Sequence, residues 1–244
     1  MNAGAFARSV VYAVVQLVIT PPYSILALLT FPFSPHTRYR IITSWSRVMV
    51  WCAAHICGIR YRVLGRDNIP ATPSIILSKH ESAWETLALQ VIFPPQVWVV
   101  KRELLWIPFF GWGLAMLSPI AIERRSGVRA LKQTVEQGRE RLAHGFSIVI
   151  FPEGTRSAPG TAGTYQVGGA WLATQTGAPI VPVAHNAGRY WPRNAFVKYP
   201  GTITVSVGPA VDAAGRKAPD IMREVEQWIE DERQRIDTRE KAPE

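Results

Sequence analysis

Residues 74–100 read SIILSKHESAWETLALQVIFPPQVWVV. The opening run, Ser74-Ile75-Ile76-Leu77, is short, continuous and apolar, as in a strand buried on both faces. From Ser82 to Ile92 the residues form a helical stretch that Pro94-Pro95 ends, and Val97-Trp98-Val99-Val100 then starts a second apolar strand. The same alternation continues. Strands are expected at Pro119 to Ile122, Ser147 to Phe151, Ile180 to Ala184 and Thr202 to Val207. Helices are expected at Val128 to Ala143, Gly168 to Thr176 with Gly177 as its stop, and Asp220 to Arg239. Continuous apolar strands separated by helices predict an α/β fold: a mostly parallel or mixed sheet flanked by helices.

Working toward the N-terminus, the character changes. Val10 to Phe33 carries no charged side chain over a length able to cross about 30 Å of hydrocarbon. Pro21-Pro22 remove two backbone donors, so a kink or a break into two short helices is expected there, as a kinked span or a re-entrant hairpin. The basic residues His36, Arg38, Arg40 and Arg47 follow closely and favour keeping the next domain on the cytoplasmic side. No small-x-small site precedes them, which argues against a cleaved signal peptide. Ile41 to Ile59 suits a helix lying at a membrane interface or one buried in a core. The expected division is an N-terminal hydrophobic, membrane-associated helical segment over residues 1–60 and a catalytic α/β domain over 61–244, a sensible load for a chain of 244 residues.

A formal charge of +9 suits nucleic acid, an anionic bilayer or a phosphorylated substrate. No Lys/Arg block with interleaved aromatics and no DNA- or RNA-binding signature is present, so no nucleic-acid partner is expected. Cys52 and Cys57 are too few for a disulfide framework, and with His55 they fall short of a zinc set; no metal is expected.

Three blocks can carry chemistry, and each follows an apolar strand, where α/β sheets gather their ligand sites. Lys79-His80-Glu81-Ser82-Ala83-Trp84-Glu85 offers an imidazole and a carboxylate five residues apart. On one helix those two would point about 140° apart, so His80 must precede the helix if Glu85 is to reach it. Ser82 to Glu85 also fits a capping box, with no catalytic role needed. In Phe151-Pro152-Glu153-Gly154-Thr155-Arg156-Ser157, Gly154 permits close backbone approach, Thr155 and Ser157 supply hydroxyls, and Arg156 offers a planar fork for phosphate. Lys101-Arg102-Glu103-Leu104 places two cations at a strand end, suited to an anionic substrate, and Ile107 to Gly113 could form an apolar wall or slot.

Together these blocks resemble the glycerol-phosphate and lysophosphatidate acyltransferase family, whose motifs run in the same order over roughly residues 60 to 210. His80 to Glu85 matches its His-x-x-x-x-Asp with Glu for Asp. Lys101 to Leu104, with Ile122-Glu123-Arg124, matches the second block, Phe151 to Ser157 the third, and Ile180-Val181-Pro182-Val183 the fourth. Glu85 and Glu123 stand where the family has Asp, one methylene or about 1.5 Å longer, and Gln166 stands near a usual Lys.

The resemblance implies transfer of an acyl group from acyl-CoA or acyl carrier protein to the sn-2 hydroxyl of lysophosphatidate, with no cofactor beyond that thioester. It implies His80 as general base, Glu85 as its partner, and Lys101, Arg156 and Arg124 around the phosphate. Glu153 and Thr155 would bind glycerol oxygens, beside the close approach at Gly154. It also implies membrane lipids as partners and the cytoplasmic face of a bacterial inner membrane as location. The rivals are another lysolipid acceptor, such as a lyso-aminolipid, and a membrane lipid-binding protein without turnover. A hydrolase is disfavoured, because no nucleophile elbow is present.

Overall fold

The structure is a computed structural model that describes residues 3–123 and 127–241. Helices α1 (Ala3–Leu29), α2 (Pro35–Ile42) and α3 (Ser44–Ile56) lead into strand β1 (Ile59–Leu64). Then come β2 (Ile75–Ser78), α4 (Trp84–Ile92), β3 (Gln96–Lys101), α5 (Phe110–Met116) and β4 (Ile120–Ile122). The remainder is α6 (Val128–Ala143), β5 (Ser147–Ile150), α7 (Gly168–Thr176), β6 (Ile180–His185), α8 (Ala187–Tyr190), β7 (Gly201–Val207) and α9 (Ala218–Lys241).

The seven strands form one sheet in the order β1-β7-β6-β2-β5-β3-β4. Neighbours are parallel throughout, except that β6 and β7 are antiparallel. The apolar run that opens the first motif explains why both faces are covered. Ile75 and Leu77 pack with Leu172 of α7 and Ile221 and Val225 of α9, whereas Ile76 packs with Met49 of α3 and Leu87 and Leu89 of α4. Successive side chains leave a strand on opposite faces, and each of these, fully buried, stabilises the sheet by roughly 1.5–3 kcal/mol. Strand β5 lies between β2 and β3 and is parallel to both, so the carboxyl ends of all three open on the same side.

Of the two outcomes expected at the proline pair, the break into two short helices does not occur. Helix α1 is assigned continuously through Pro21 and Pro22. The pair does remove two donors, but Thr20 Oγ1 donates to the Gln16 carbonyl and Ser24 Oγ to that of Thr20, and the helix is held from outside by packing. Ser9 Oγ accepts from the Lys198 amide, Tyr12 stacks edge-on against Trp191, and Ala5, Ser24 and Ala27 are buried. The opposite face is apolar and exposed, with Leu17 74%, Val18 64% and Leu29 68% accessible. The single helix expected over Ile41 to Ile59 is two, parted at Thr43, whose hydroxyl donates to the Tyr39 carbonyl. Met49 of α3 is core while Trp51 is exposed, so that helix has one face of each expected kind. Strand β1 and helix α5 go beyond the expected elements; Arg60 and Arg62 interrupt the apolar signal of β1, which is completed by pairing with β7.

Candidate active site

The first and third motifs are joined by a buried carboxylate. Glu153 Oε1 accepts the backbone N–H of His80 at 2.9 Å, and Glu153 Oε2 lies 2.9 Å from Lys79 Nζ. The Lys79 ammonium is sealed from solvent, and its other two donors go to the Thr161 carbonyl and to Glu230 Oε1 of α9, each at 2.9 Å. Three acceptors match the three protons of an ammonium, which is what makes a fully buried lysine tolerable. The His80 carbonyl accepts from the Ser157 amide at 2.8 Å and from its hydroxyl at 3.2 Å. Both backbone polar groups of His80 are thereby tied to the loop that follows β5.

His80 leaves β2 ahead of α4, and its Nδ1 lies 2.8 Å from Glu85 Oε1. The same oxygen accepts the amides of Glu81 at 3.0 Å and Ser82 at 2.8 Å. The expected capping box is not formed as such, since Ala83 is the N-cap and no side chain caps it; instead one Glu85 oxygen holds the turn that precedes α4 and reaches the imidazole. The helix begins at Trp84 rather than Ser82, because the residues before it are turned back by these bonds. Burial pushes the Glu85 carboxyl up, but His185, the His80 ring and the Ser82 amide outweigh it and hold it below the usual carboxylate range. An ionised carboxylate only accepts, so Nδ1 carries a proton and Nε2 is the ring nitrogen left to face a substrate. The imidazole is stacked on Phe151, 3.8 Å between centroids and 10° from parallel, with the side chain 13% exposed. Behind it, the buried His185 is 2.9 Å from the Lys79 carbonyl through Nε2, and burial lowers its pKa.

His80 opens onto a cavity of about 480 Å³. Its lining includes the apolar side chains Ala27 of α1, Trp45 of α3, Leu87 of α4 and Leu114 of α5. It also includes Lys101, Gly154, Thr155 and Arg156. Gly154 has φ +70°, a backbone turn that favours glycine, and Thr155 and Arg156 after it line the same cavity as His80. No aspartate or glutamate lines the cavity among the described residues. A lining of apolar side chains with cations and no carboxylate suits an amphiphile with an anionic head.

Of the expected site residues, the structure brings His80, Lys101, Gly154, Thr155 and Arg156 to this one cavity, with Glu85 directly behind His80. Glu153 is placed differently from the other expected residues: its side chain is 1% exposed, it does not line the cavity, and its two oxygens bond Lys79 and the His80 amide. Arg124 lies outside the described residues. Lys79 and Phe151 stand in the quoted blocks without an assigned role, and His185 and Arg193 lie outside them. Lys79 could have been suspected, since a lysine beside a candidate histidine at the end of an apolar strand has to be neutralised by something. The apolar wall from α1 had no local signal.

Residues 60–186 match the model of a family described as Acyltransferase. A 1-acyl-sn-glycerol-3-phosphate acyltransferase of Pseudomonas aeruginosa is 47% identical over 209 residues, 84% of this chain and 81% of that protein. A protein of the same name from Borreliella burgdorferi is 31% identical over 169 residues, 68% of this chain and 66% of its own length. In three dimensions the chain is similar to the crystal structure of a 1-acyl-sn-glycerophosphate acyltransferase from Thermotoga maritima, with a TM-score of 0.80 over 95% of both chains. At 20% identity that likeness speaks for the fold.

Proposed function

The chain belongs to the acyltransferase family, and we propose that it moves a fatty acyl group from a thioester to the sn-2 hydroxyl of 1-acyl-sn-glycerol-3-phosphate, giving phosphatidate. The observation that carries this reading is the His80 to Glu85 hydrogen bond of 2.8 Å beside a cavity whose lining combines apolar side chains with Lys101 and Arg156 and, among the described residues, no carboxylate.

His80 Nε2 accepts the proton of the glycerol hydroxyl as that oxygen attacks the thioester carbonyl carbon. Glu85 fixes the ring through Nδ1 and stabilises the imidazolium that forms. As the tetrahedral intermediate collapses, the carbon–sulfur bond breaks and Nε2 returns the proton to the leaving thiolate. The new ester and a free thiol balance the reaction, and no acyl-enzyme is needed. Lys101 and Arg156 hold the phosphate, Thr155 lies beside the glycerol, and the apolar chamber takes a hydrocarbon chain. Glu153 acts through His80, whose amide it holds, as a positioning residue. The donor is acyl-CoA or acyl carrier protein.

The N-terminal helix fits a membrane-bound enzyme that embeds without crossing. Along one face α1 is packed on the body and lines the cavity at Thr20, Ser24 and Ala27, which supports a helix that stays docked on the domain at the membrane. Its exposed apolar face, with Phe31 and Phe33 just beyond, would lie in the outer part of one leaflet, where a lysolipid could enter the chamber without leaving the membrane. The basic residues Arg38, Arg40 and Arg47 favour the cytoplasmic face of a bacterial inner membrane.

The test is acyl transfer from acyl-CoA and from acyl carrier protein to a panel of lysolipids, with His80→Ala as control. Transfer to lysophosphatidate that falls by about 10² to 10⁴ in the variant supports the reading. Turnover only with a different head group, or unaffected by His80→Ala, defeats it.

A further inference from the structure

Beyond the family match, which ends at residue 186, the chain returns to the cavity once more. After β6 the short helix α8 leads into Trp191-Pro192-Arg193-Asn194. Trp191 anchors this turn: it is buried, it meets Tyr12 edge to face, and Lys198 sits over its ring 4.5 Å from the centroid. The Ala195 amide bonds the Pro192 carbonyl at 3.1 Å, and Asn194 closes the turn in the left-handed region at φ +56°. Such a backbone is uncommon outside glycine and is sustained only where the surroundings impose it. The result is that Arg193 and Asn194 both line the cavity.

Arg193 is not free to wander there. One guanidinium nitrogen, Nη1, donates to the backbone carbonyl of Arg156, so the Arg193 side chain is tied to the segment that carries Arg156, and both residues line the cavity. The Arg156 Nε is buried and has no hydrogen-bond partner. A buried, unsatisfied donor of a cation is expensive, and the cavity wall offers no carboxylate among the described residues to relieve it. Lys101, Arg156 and Arg193 together are a surplus of positive charge that calls for a ligand with more than one negative charge.

We infer that Arg193 is a second phosphate-holding arginine, paired with Arg156, and that the two select a phosphate monoester dianion. Arginine forks match phosphate oxygens in pairs, so a phosphodiester, with one charge and two oxygens esterified, satisfies such a pair less well. This inference rests on the proposed acyl transfer. Two sources offer the same chemistry: the head group of lysophosphatidate, and the 3′-phosphate of a CoA donor.

The experiment measures steady-state kinetics of the full-length chain and of Arg193→Ala and Arg193→Lys, with melting temperatures as a check on folding. Acceptors are lysophosphatidate and lysophosphatidylglycerol; donors are acyl-CoA and acyl-dephospho-CoA. Loss of a charge-assisted contact should raise one KM by about tenfold or more while leaving kcat within a few-fold, and Arg193→Lys should recover part of it. A rise in the KM for lysophosphatidate, with reduced preference over lysophosphatidylglycerol, identifies the acceptor's phosphate. A rise confined to acyl-CoA and absent with acyl-dephospho-CoA identifies the donor's. Both KM values unchanged in an active, folded Arg193→Ala overturn the inference. No transfer by the unmodified chain would instead defeat the proposed function.

Discussion

Lys79 Nζ lies 2.9 Å from Glu153 Oε2 with both side chains sealed from solvent, and the other oxygen of Glu153 holds the amide of His80. The third-motif carboxylate is thus the strut that sets the backbone of the candidate base. It is in turn neutralised by the residue just before that base. Glu230 of α9 completes the charge balance, with Tyr165 and Arg233 on its own oxygens at 2.9 and 3.0 Å.

Lys79→Met should therefore lower both stability and turnover. It strands Glu153 as an uncompensated buried charge, a change that commonly costs about 3–5 kcal/mol. The double variant Lys79→Met with Glu153→Gln removes both charges, so it should melt above Lys79→Met alone. Thermal melts of the two variants beside the unmodified chain check this. A double variant no better than the single would show that the pair is not coupled.

Glu85→Gln should reduce kcat by about 10² or more, because an amide cannot stabilise the imidazolium. It should also lower the melting temperature, since the same oxygen holds the turn before α4 through the amides of Glu81 and Ser82. Glu85→Asp, one methylene shorter, should keep the charge but lose some of these bonds, and retain part of the activity. Kinetics and melts measured on the same samples separate the two effects.

The buried Glu81 gives the fold a pH dependence of its own. Burial raises its carboxyl from 4.5 to about 8, despite the opposing pull of Lys79, and its Oε1 has no hydrogen-bond partner. A group whose pKa is raised on folding binds more protons in the folded chain. Its stabilising contribution is complete below 4.5 and is lost as pH rises from there through about 8. The melting temperature should fall across that window, from 4.5 to about 8, and Glu81→Gln, neutral at every pH, should flatten that slope. An unchanged slope in Glu81→Gln would assign the effect elsewhere.

The exposed face of α1 provides a fourth test. Leu17→Glu with Val18→Glu places two charges where the helix is most accessible. The variant should lose most of its sedimentation with phosphatidylglycerol-containing vesicles while keeping its fold by circular dichroism. Undiminished binding would place the membrane contact on another surface.

Local pattern carried a large part of this molecule. Strands β2, β3, β5, β6 and β7 were legible because a strand buried on both faces leaves a short apolar run. Helices α6, α7 and α9 were legible through their spacing and stop residues. Strand β1 was not, because its arginines alternate with apolar residues and its pairing with β7 depends on chain far downstream. The continuity of α1 was hidden for a related reason. The prolines at 21 and 22 are a local signal to break, and packing against α3 and α5 overrides it.

The sequence by itself determined the fold class and the membership of the chemical blocks: which histidine, which cations, and that Glu85 could reach His80 only from inside the helix that follows. These are consequences of residue type, period and reach over a few positions. Only the tertiary structure decided that β5 sits between β2 and β3 and so brings the blocks together. It also paired Glu153 with Lys79, and tied Arg193 to the Arg156 carbonyl. Those outcomes depend on contacts between residues far apart in the chain, where burial forces every charge to find a partner, and no local periodicity encodes which partner that is.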